Sequence, residues 1–223
     1  MAGGGGMTMK CVNSLSHASI DVITGGDHMW DQKEFVDEIN AFSHVLRPAN
    51  LNPSQPGKGY GIFNASNGVK VGVICLQGRS LMSKVADSPF TAADRVVAEI
   101  RKTTPVIFVD MHGEATSEKV AMGRYLDGRV SAVLGTHTHV PTADEEIFEG
   151  GTAFQCDVGM VGSRRSVLGR AVEPVVHHFS TGMPAKFSVV EDDIRVHATV
   201  VEVNSENGHA NSIERVCRDW DSA

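Results

Sequence analysis

Short apolar runs that end at polar loops recur along the first two thirds of this chain, and helical segments separate them. The runs 69–76, 105–110 and 130–134 are rich in β-branched residues and predict buried strands. Residues 91–102 and 116–126 begin at helix-capping residues and predict helices. Strands that alternate with helices indicate an α/β domain, in which the loops that follow the strands converge on one rim.

The other predicted elements are shorter. They are a helix at 8–17 capped by Thr8, a strand at 21–23, a helix at 32–42 capped by Asp31, strands at 146–148 and 152–156, a helix at 171–180 and two antiparallel strands within 186–203. Several prolines and glycines predict an irregular loop at 47–60. Because strand pairs follow the alternating part, we expect a layered αββα sandwich that forms a single domain over 1–223.

Composition narrows the classes of function. Hydrophobic residues make up 41% of the 223 residues and charged residues 21%, as in ordinary globular proteins. The net charge of −7 argues against an extended surface for nucleic acids. The sequence has no apolar stretch of membrane-spanning length, and Cys75 and Cys156 fall in apolar runs, where reduced thiols are expected. We therefore expect a cytoplasmic protein with no membrane association.

Histidines follow three of the predicted strands. Asp27-His28, His112 and the pair His137 and His139 all lie just beyond apolar runs. Neutral imidazole is the commonest side-chain ligand of transition metals. The sequence therefore predicts a metal site on the rim of the sheet.

The same residue types suit phosphate ester hydrolysis. That reaction needs charge neutralisation, an activated water and a proton for the leaving oxygen, and two metal ions supply the first two. Asp27, His112, His137 and His139 are the predicted metal ligands, with Fe, Mn or Zn as the expected ion. His28 lies beside Asp27 and is the predicted proton donor.

Long stretches of the chain resemble a known family. They are GGDHMWDQKEF at 25–35, VLRPANLNPSQPGKG at 45–59, VICLQGRS at 73–80 and the whole block 110–160. Together these segments are similar to the YmdB-type metallophosphoesterases of the calcineurin-like superfamily. The resemblance implies an αββα sandwich of the metallo-dependent phosphatase type, a two-metal site, and cleavage of 2′,3′-cyclic nucleotides or related phosphodiesters in bacteria.

The resemblance also assigns roles to individual residues. Asp27 takes the place of a metal-binding Asn, and His28 matches the proton-donating His of the family. His112 and His137 match ligands of the same metal as that Asn, whereas His139 matches a ligand of the second metal. Asp in place of Asn keeps an oxygen ligand but adds negative charge, which should tighten metal binding and lower turnover.

One part of the family pattern is absent from this sequence. The family's G-D-V-x-G and N-G-E-N motifs supply an Asp, a bridging Glu and an Asn, and the segment 2–6 resembles the glycine-rich stretch that comes directly after them in the family. We therefore expect the sandwich to lack its first strand–helix–strand unit and to hold one metal instead of two. The alternative function is a catalytically impaired fragment, or a metal- or nucleotide-binding module. The exposed strand edges would favour a homo-oligomer.

Nearby polar residues have more ordinary expected roles. Asp110 and Glu114 are expected to cap a helix or to hold an imidazole N–H, and one of them could replace a missing ligand. Asp157 is expected to stabilise a turn, with a metal ligand as the alternative. Trp30 is expected in the core, with base stacking as the alternative.

Overall fold

The computed structural model describes residues 5–220, which form five α-helices and eleven strands. In chain order they are α1 (Met9–His17), β1 (Ile23–Thr24), α2 (Phe35–Glu38), β2 (Val45–Leu46), β3 (Tyr60–Asn64), β4 (Lys70–Gln77), α3 (Pro89–Ile100), β5 (Ile107–His112), α4 (Thr116–Leu126), β6 (Ala132–Thr136), β7 (Glu146–Ile147), β8 (Ala153–Gln155), β9 (Val161–Ser163), α5 (Val172–Thr181), β10 (Ile194–Val203) and β11 (Ala210–Trp220). No helix within this part of the chain is long and apolar enough to span a bilayer.

The largest sheet has six strands in the order β3-β4-β5-β6-β8-β7. β4, β5, β6 and β8 run parallel, and antiparallel β3 and β7 close the two edges. Gln77 pairs with His112, and His112 pairs with Thr136, so the last residues of three parallel strands lie side by side. Ligand sites of α/β sheets form beyond such carboxyl ends.

The layers of the fold follow from the two faces of this sheet. Helices α3 and α4 cover one face, where fully buried Ile74, Ile107 and Val133 form part of the main core. On the other face, Ala132 and Ala153 pack against the antiparallel sheet β11-β10-β9. Small side chains allow the two sheets to approach closely. The predicted layered α/β class is confirmed.

The second face is covered only in part. Val71, Val73 and Phe108 are half-buried and border a groove of about 380 Å³ beside the second sheet. The helix α1 and strands β1 and β2 form a separate small core around Phe35. Thus the helix-covered face is fully buried around Ile74, Ile107 and Val133, and the other face keeps an open apolar strip.

One predicted helix and one predicted strand pair are wrong in extent. The helix expected at 32–42 is only the short α2, which is followed by a 3-10 turn at Ile39–Ala41. It does not begin near residue 32, because Asp31 binds the ring of His28 and caps no backbone N–H. The antiparallel pair expected within 186–203 is β10 with β11, and its turn lies at 204–209. Asn204 closes that turn by accepting the N–H groups that follow it.

Strands β2, β3 and β9 were missed, and two other strands were placed too early. β3 follows the expected loop and pairs with β4 across Asn67-Gly68, a dipeptide typical of hairpin turns. β5 extends to His112, and β6 extends to Thr136. His112 therefore lies on the end of a strand, which holds it more rigidly than the expected loop would.

Candidate metal centre

Three of the predicted ligands meet beyond the ends of β5 and β6. Nε2 of His112 lies 3.0 Å from Oδ1 of Asp27 and 3.1 Å from Nδ1 of His137. The Asp27 oxygen and the His137 nitrogen are 3.6 Å apart. Among the described residues, these three side chains form the single group of His, Cys, Asp or Glu whose donor atoms all lie within 4.8 Å of one another.

The local backbone makes this meeting feasible. A Cβ on Gly26 would lie 2.3 Å from atoms of the His112 ring, so only glycine lets the Asp27 loop approach that ring. A Cβ on Gly135 would collide with the carbonyl oxygen of Cys156, so glycine is also required where β6 leaves the sheet. His137 has a φ of 100°, a region that costs energy for a side chain other than glycine. The loop thus stores strain in order to present His137.

The tautomer of His112 follows from its other contacts. Nδ1 of His112 is 3.0 Å from Oγ1 of Thr136, whose hydroxyl donates to Asp110 at 2.7 Å. Because the Thr136 proton is used, its oxygen accepts the Nδ1–H of His112. The Nε2 lone pair of His112 then points at Asp27 and His137. Asp110 acts here through Thr136, as the expectation of a supporting role requires.

The tautomer of His137 is likewise fixed by a neighbouring side chain. Its Nε2 is 3.1 Å from a carboxylate oxygen of Glu114, so this nitrogen carries the proton, as expected for Glu114. Nδ1 of His137 then presents a lone pair to Asp27 and His112. Two imidazole lone pairs and a carboxylate oxygen facing one another repel unless a cation or a proton lies between them.

The charges in the group agree with this requirement. When a proton takes that place, hydrogen bonds from His112 and His137 hold the pKa of Asp27 well below its usual range. The hydrogen bond to Asp27 raises the pKa of His137. A donor set of two imidazoles and one carboxylate suits Zn, Fe or Mn. The three residues therefore fit one divalent metal ion.

His28 lies beside this group and is mostly exposed. Its Nδ1 is 2.6 Å from Oδ2 of Asp31, and its Nε2 is 3.8 Å from Oδ2 of Asp27. Lys84 lies 3.9 Å from the other oxygen of Asp31. Asp31 was predicted to cap a helix, and its contact with His28 was not predicted. The spacing of three residues between His28 and Asp31 was the available signal.

His139 is not a member of the group. Its φ is 65°, and burial lowers the pKa of its half-buried ring. The ring lies close enough to the backbone of Leu168 and to Asp157, His112 and His137 for these groups to influence its pKa. The His-x-His motif thus directs its two rings to different surroundings.

A buried ion pair anchors the same loop from below. Nζ of Lys119 is 3.0 Å from Oδ2 of Asp157, and both side chains are 1% exposed. Asp157 also accepts the backbone N–H and the hydroxyl of Thr138, and the N–H of Gly159. The expected structural role of Asp157 accounts for all of these contacts, whereas the role of Lys119 was not predicted from the sequence.

Two cavities flank the group of Asp27, His112 and His137, which is called the donor group below. One of about 240 Å³ is lined by His28, His112 and Thr136, and the other, of about 220 Å³, by Asp27, Trp30 and Gln77 among others. The indole N–H of Trp30 donates to Gln55 at 2.8 Å, and its ring also packs against the small core. Trp30 therefore contacts both the core, as expected, and the second cavity.

Comparison with known proteins agrees with this geometry. The sequence matches the YmdB-like protein family over residues 1–216. It is 45% identical to a 2′,3′-cyclic-nucleotide 2′-phosphodiesterase of Bacillus subtilis over 215 residues, which cover 96% of this chain and 81% of that protein.

Two crystal structures share the fold. A hypothetical protein from Thermus thermophilus has a TM-score of 0.90 at 37% identity and covers 98% of this chain and 84% of its own. A phosphatase from Mycoplasma pneumoniae has a TM-score of 0.88 at 30% identity, with 97% of this chain and 78% of that chain covered.

Proposed function

The chain belongs to the YmdB-like protein family, and from this premise we propose that it is a metal-dependent phosphodiesterase acting on 2′,3′-cyclic nucleotides or related phosphodiesters. The observation that carries the proposal is the meeting of Asp27, His112 and His137 at the carboxyl ends of the strands. The sequence similarity to a cyclic-nucleotide phosphodiesterase supports the substrate class.

The three meeting residues are the proposed ligands of one divalent ion, which is Fe, Mn or Zn. Such an ion, when bound, neutralises phosphate charge and lowers the pKa of a coordinated water. Thr136 and Glu114 keep the protons of the two imidazoles on the nitrogens that face away from the ion. His139, which matches a ligand of a second ion in the family, is proposed as the residue that such an ion would contact.

His28 is the proposed proton donor to the leaving oxygen. Asp31 holds Nδ1 of this ring, so Nε2 is the nitrogen that faces the Asp27 side of the site. A carboxylate bound to one ring nitrogen fixes the orientation of the imidazole, as the carboxylate of a catalytic triad does. The exposure of His28 allows a substrate to reach it directly.

The test measures hydrolysis of 2′,3′-cyclic AMP and of bis-p-nitrophenyl phosphate with added Mn, Fe or Zn. We expect metal-dependent turnover that is lost in His137→Ala and kept in His17→Ala, because His17 is an exposed histidine at the end of α1. Metal analysis should give one ion per chain. If no added metal gives turnover, the proposal that the chain is an enzyme is rejected, and the alternative of a metal-binding module is retained.

A further inference from the structure

Lys84 is the one lysine or arginine of residues 5–220 that lines either cavity beside the donor group. It borders the 220 Å³ cavity together with Asp27, whereas neither lysine nor arginine lines the 240 Å³ cavity. The Lys84 side chain is 53% exposed, so a ligand that enters this cavity has access to it. Lys84 therefore offers a positive charge to an anionic ligand at the donor group.

The ammonium group of Lys84 makes no hydrogen bond within the part of the chain that the structure describes. Its ionic contact is with Oδ1 of Asp31 at 3.9 Å, which is longer than the roughly 2.7–3.2 Å of a hydrogen bond. Oδ2 of the same carboxylate is 2.6 Å from Nδ1 of His28, the proposed proton donor. The N–H donors of Lys84 are thus available close to the residue that is proposed to protonate the leaving oxygen.

The backbone at Lys84 is held in place, although the loop 78–88 has no regular structure. The Lys84 carbonyl accepts the side-chain amide of Gln77, the last residue of β4, at 3.1 Å. Asp87 donates its N–H to the Asn50 carbonyl and accepts the Asn50 side-chain amide, both at 2.8 Å. Because the backbone is anchored and the side chain is long and flexible, the ammonium group is able to turn to a ligand without a rearrangement of the loop.

The charges around the donor group favour a role for this cation in binding phosphate. Asp27, Asp31 and Glu114 each place a carboxylate beside an imidazole of the site. These carboxylates repel a phosphodiester, which is itself negative. The proposed divalent ion offsets the charge of Asp27, and Lys84 adds a second positive charge on the side of Asp31. An ammonium group is a compact donor and an established binder of phosphate oxygens.

From these observations we infer that Lys84 binds a non-bridging oxygen of the substrate's phosphate group through its ammonium group. The inference rests on the proposed function, because the same phosphate lies at the donor group. Lys84 then determines the affinity for phosphate substrates and takes no part in proton transfer or in metal binding.

The experiment compares Lys84→Met with Lys58→Met. Methionine removes the charge and keeps most of the length of the side chain, and Lys58 is an exposed lysine that lines neither cavity. With bis-p-nitrophenyl phosphate and with 2′,3′-cyclic AMP, we expect Lys84→Met to raise KM about tenfold and to change kcat less than about twofold. Inhibition by inorganic phosphate should weaken about tenfold as well. Unchanged KM and phosphate inhibition in Lys84→Met, or equal losses in Lys58→Met, would overturn the inference.

A double variant separates contact with the substrate from an effect through Asp31. If Lys84 binds the phosphate itself, Lys84→Met should raise KM about tenfold in the Asp31→Asn protein too. If the increase disappears in that background, Lys84 acts by holding Asp31 beside His28, and the inference is wrong.

The failure of this inference is distinguishable from the failure of the proposed function. If the substrates are hydrolysed with the same KM by Lys84→Met and the unmodified protein, the inference about Lys84 alone is wrong. If no protein hydrolyses either substrate, calorimetric titration of inorganic phosphate in the presence of Mn decides. Binding about tenfold weaker in Lys84→Met than in Lys58→Met supports the inference. Equal binding in the two variants, or no binding to the unmodified protein, overturns it.

Discussion

Two polar clusters lie at the same end of the main sheet, and they differ in how well their atoms are satisfied. In the Lys119–Asp157 pair, both side chains are almost fully buried, and Asp157 receives an ammonium group, a hydroxyl and two backbone N–H groups. In the group of Asp27, His112 and His137, three donor atoms face one another, and each side chain is more exposed.

This difference indicates that the first cluster stabilises the fold and that the second is suited to binding an ion. A buried pair with every hydrogen bond made needs nothing further and serves structure. Lone pairs that converge without a proton or cation between them are unfavourable, so that cluster is complete only when a proton or a bound ion lies between its atoms. Thr138 belongs to the first cluster and its neighbour His137 to the second, so one short loop connects the two.

The largest expected effect comes from breaking the buried pair. Lys119→Met leaves the Asp157 carboxylate buried without its counterion, and we expect the free energy of unfolding to fall by about 3–5 kcal/mol. Denaturant unfolding of the apoprotein measures it. The double variant Lys119→Met/Asp157→Asn should recover part of the loss, and additive losses would show that the pair is not coupled.

Removing a member of the donor group should lower activity rather than stability. We expect His112→Ala to lower phosphodiesterase turnover on the order of a thousandfold, because the several kcal/mol that a bound ion contributes are lost. The stability of the apoprotein should stay nearly unchanged. The unmodified protein should unfold at a higher temperature when Mn or Zn is added, and the variant should show no such rise. An equal rise in both would exclude this group as the site.

Two neighbouring threonines provide a matched comparison. Thr136 orients the His112 ring, so Thr136→Val should weaken metal affinity about 10–100-fold. Because the Thr136 hydroxyl also donates to Asp110, the free energy of unfolding should fall by about 1 kcal/mol as well. Thr138 donates its hydroxyl to Asp157, so Thr138→Val should lower the free energy of unfolding by about 1 kcal/mol with little change in metal affinity. Metal titration and denaturant unfolding of both variants measure these effects. If the two variants had the same profile, the division between the clusters would be wrong.

The smallest effect concerns the charge of the oxygen ligand. Asp27→Asn keeps an oxygen at the site and removes one negative charge, so the ion should bind severalfold less tightly and act as a stronger Lewis acid. We expect turnover at saturating metal to rise severalfold. Steady-state kinetics across a metal titration measure both changes. Unchanged metal affinity in this variant would argue against direct contact between residue 27 and the ion.

The sequence pointed to three residues that the structure brings together, whereas several of the elements around them were predicted less well. His112 and His137 were identifiable because imidazole is a common metal ligand and both residues follow apolar runs. Strand β3 and the β10–β11 hairpin were missed or misplaced, because tertiary packing decides how half-exposed strands pair. Asp31 was assigned to a cap, since a carboxylate three residues after a histidine fits both roles.

Local patterns in the sequence were enough to predict the alternation of strands and helices, the family, and the residue types that are able to bind a metal. These patterns are readable one segment at a time. The folded structure was needed to show that His137 joins Asp27 and His112 while His139 stays outside that group. Such facts depend on distances between segments far apart in the chain, which hydrophobic periodicity does not encode.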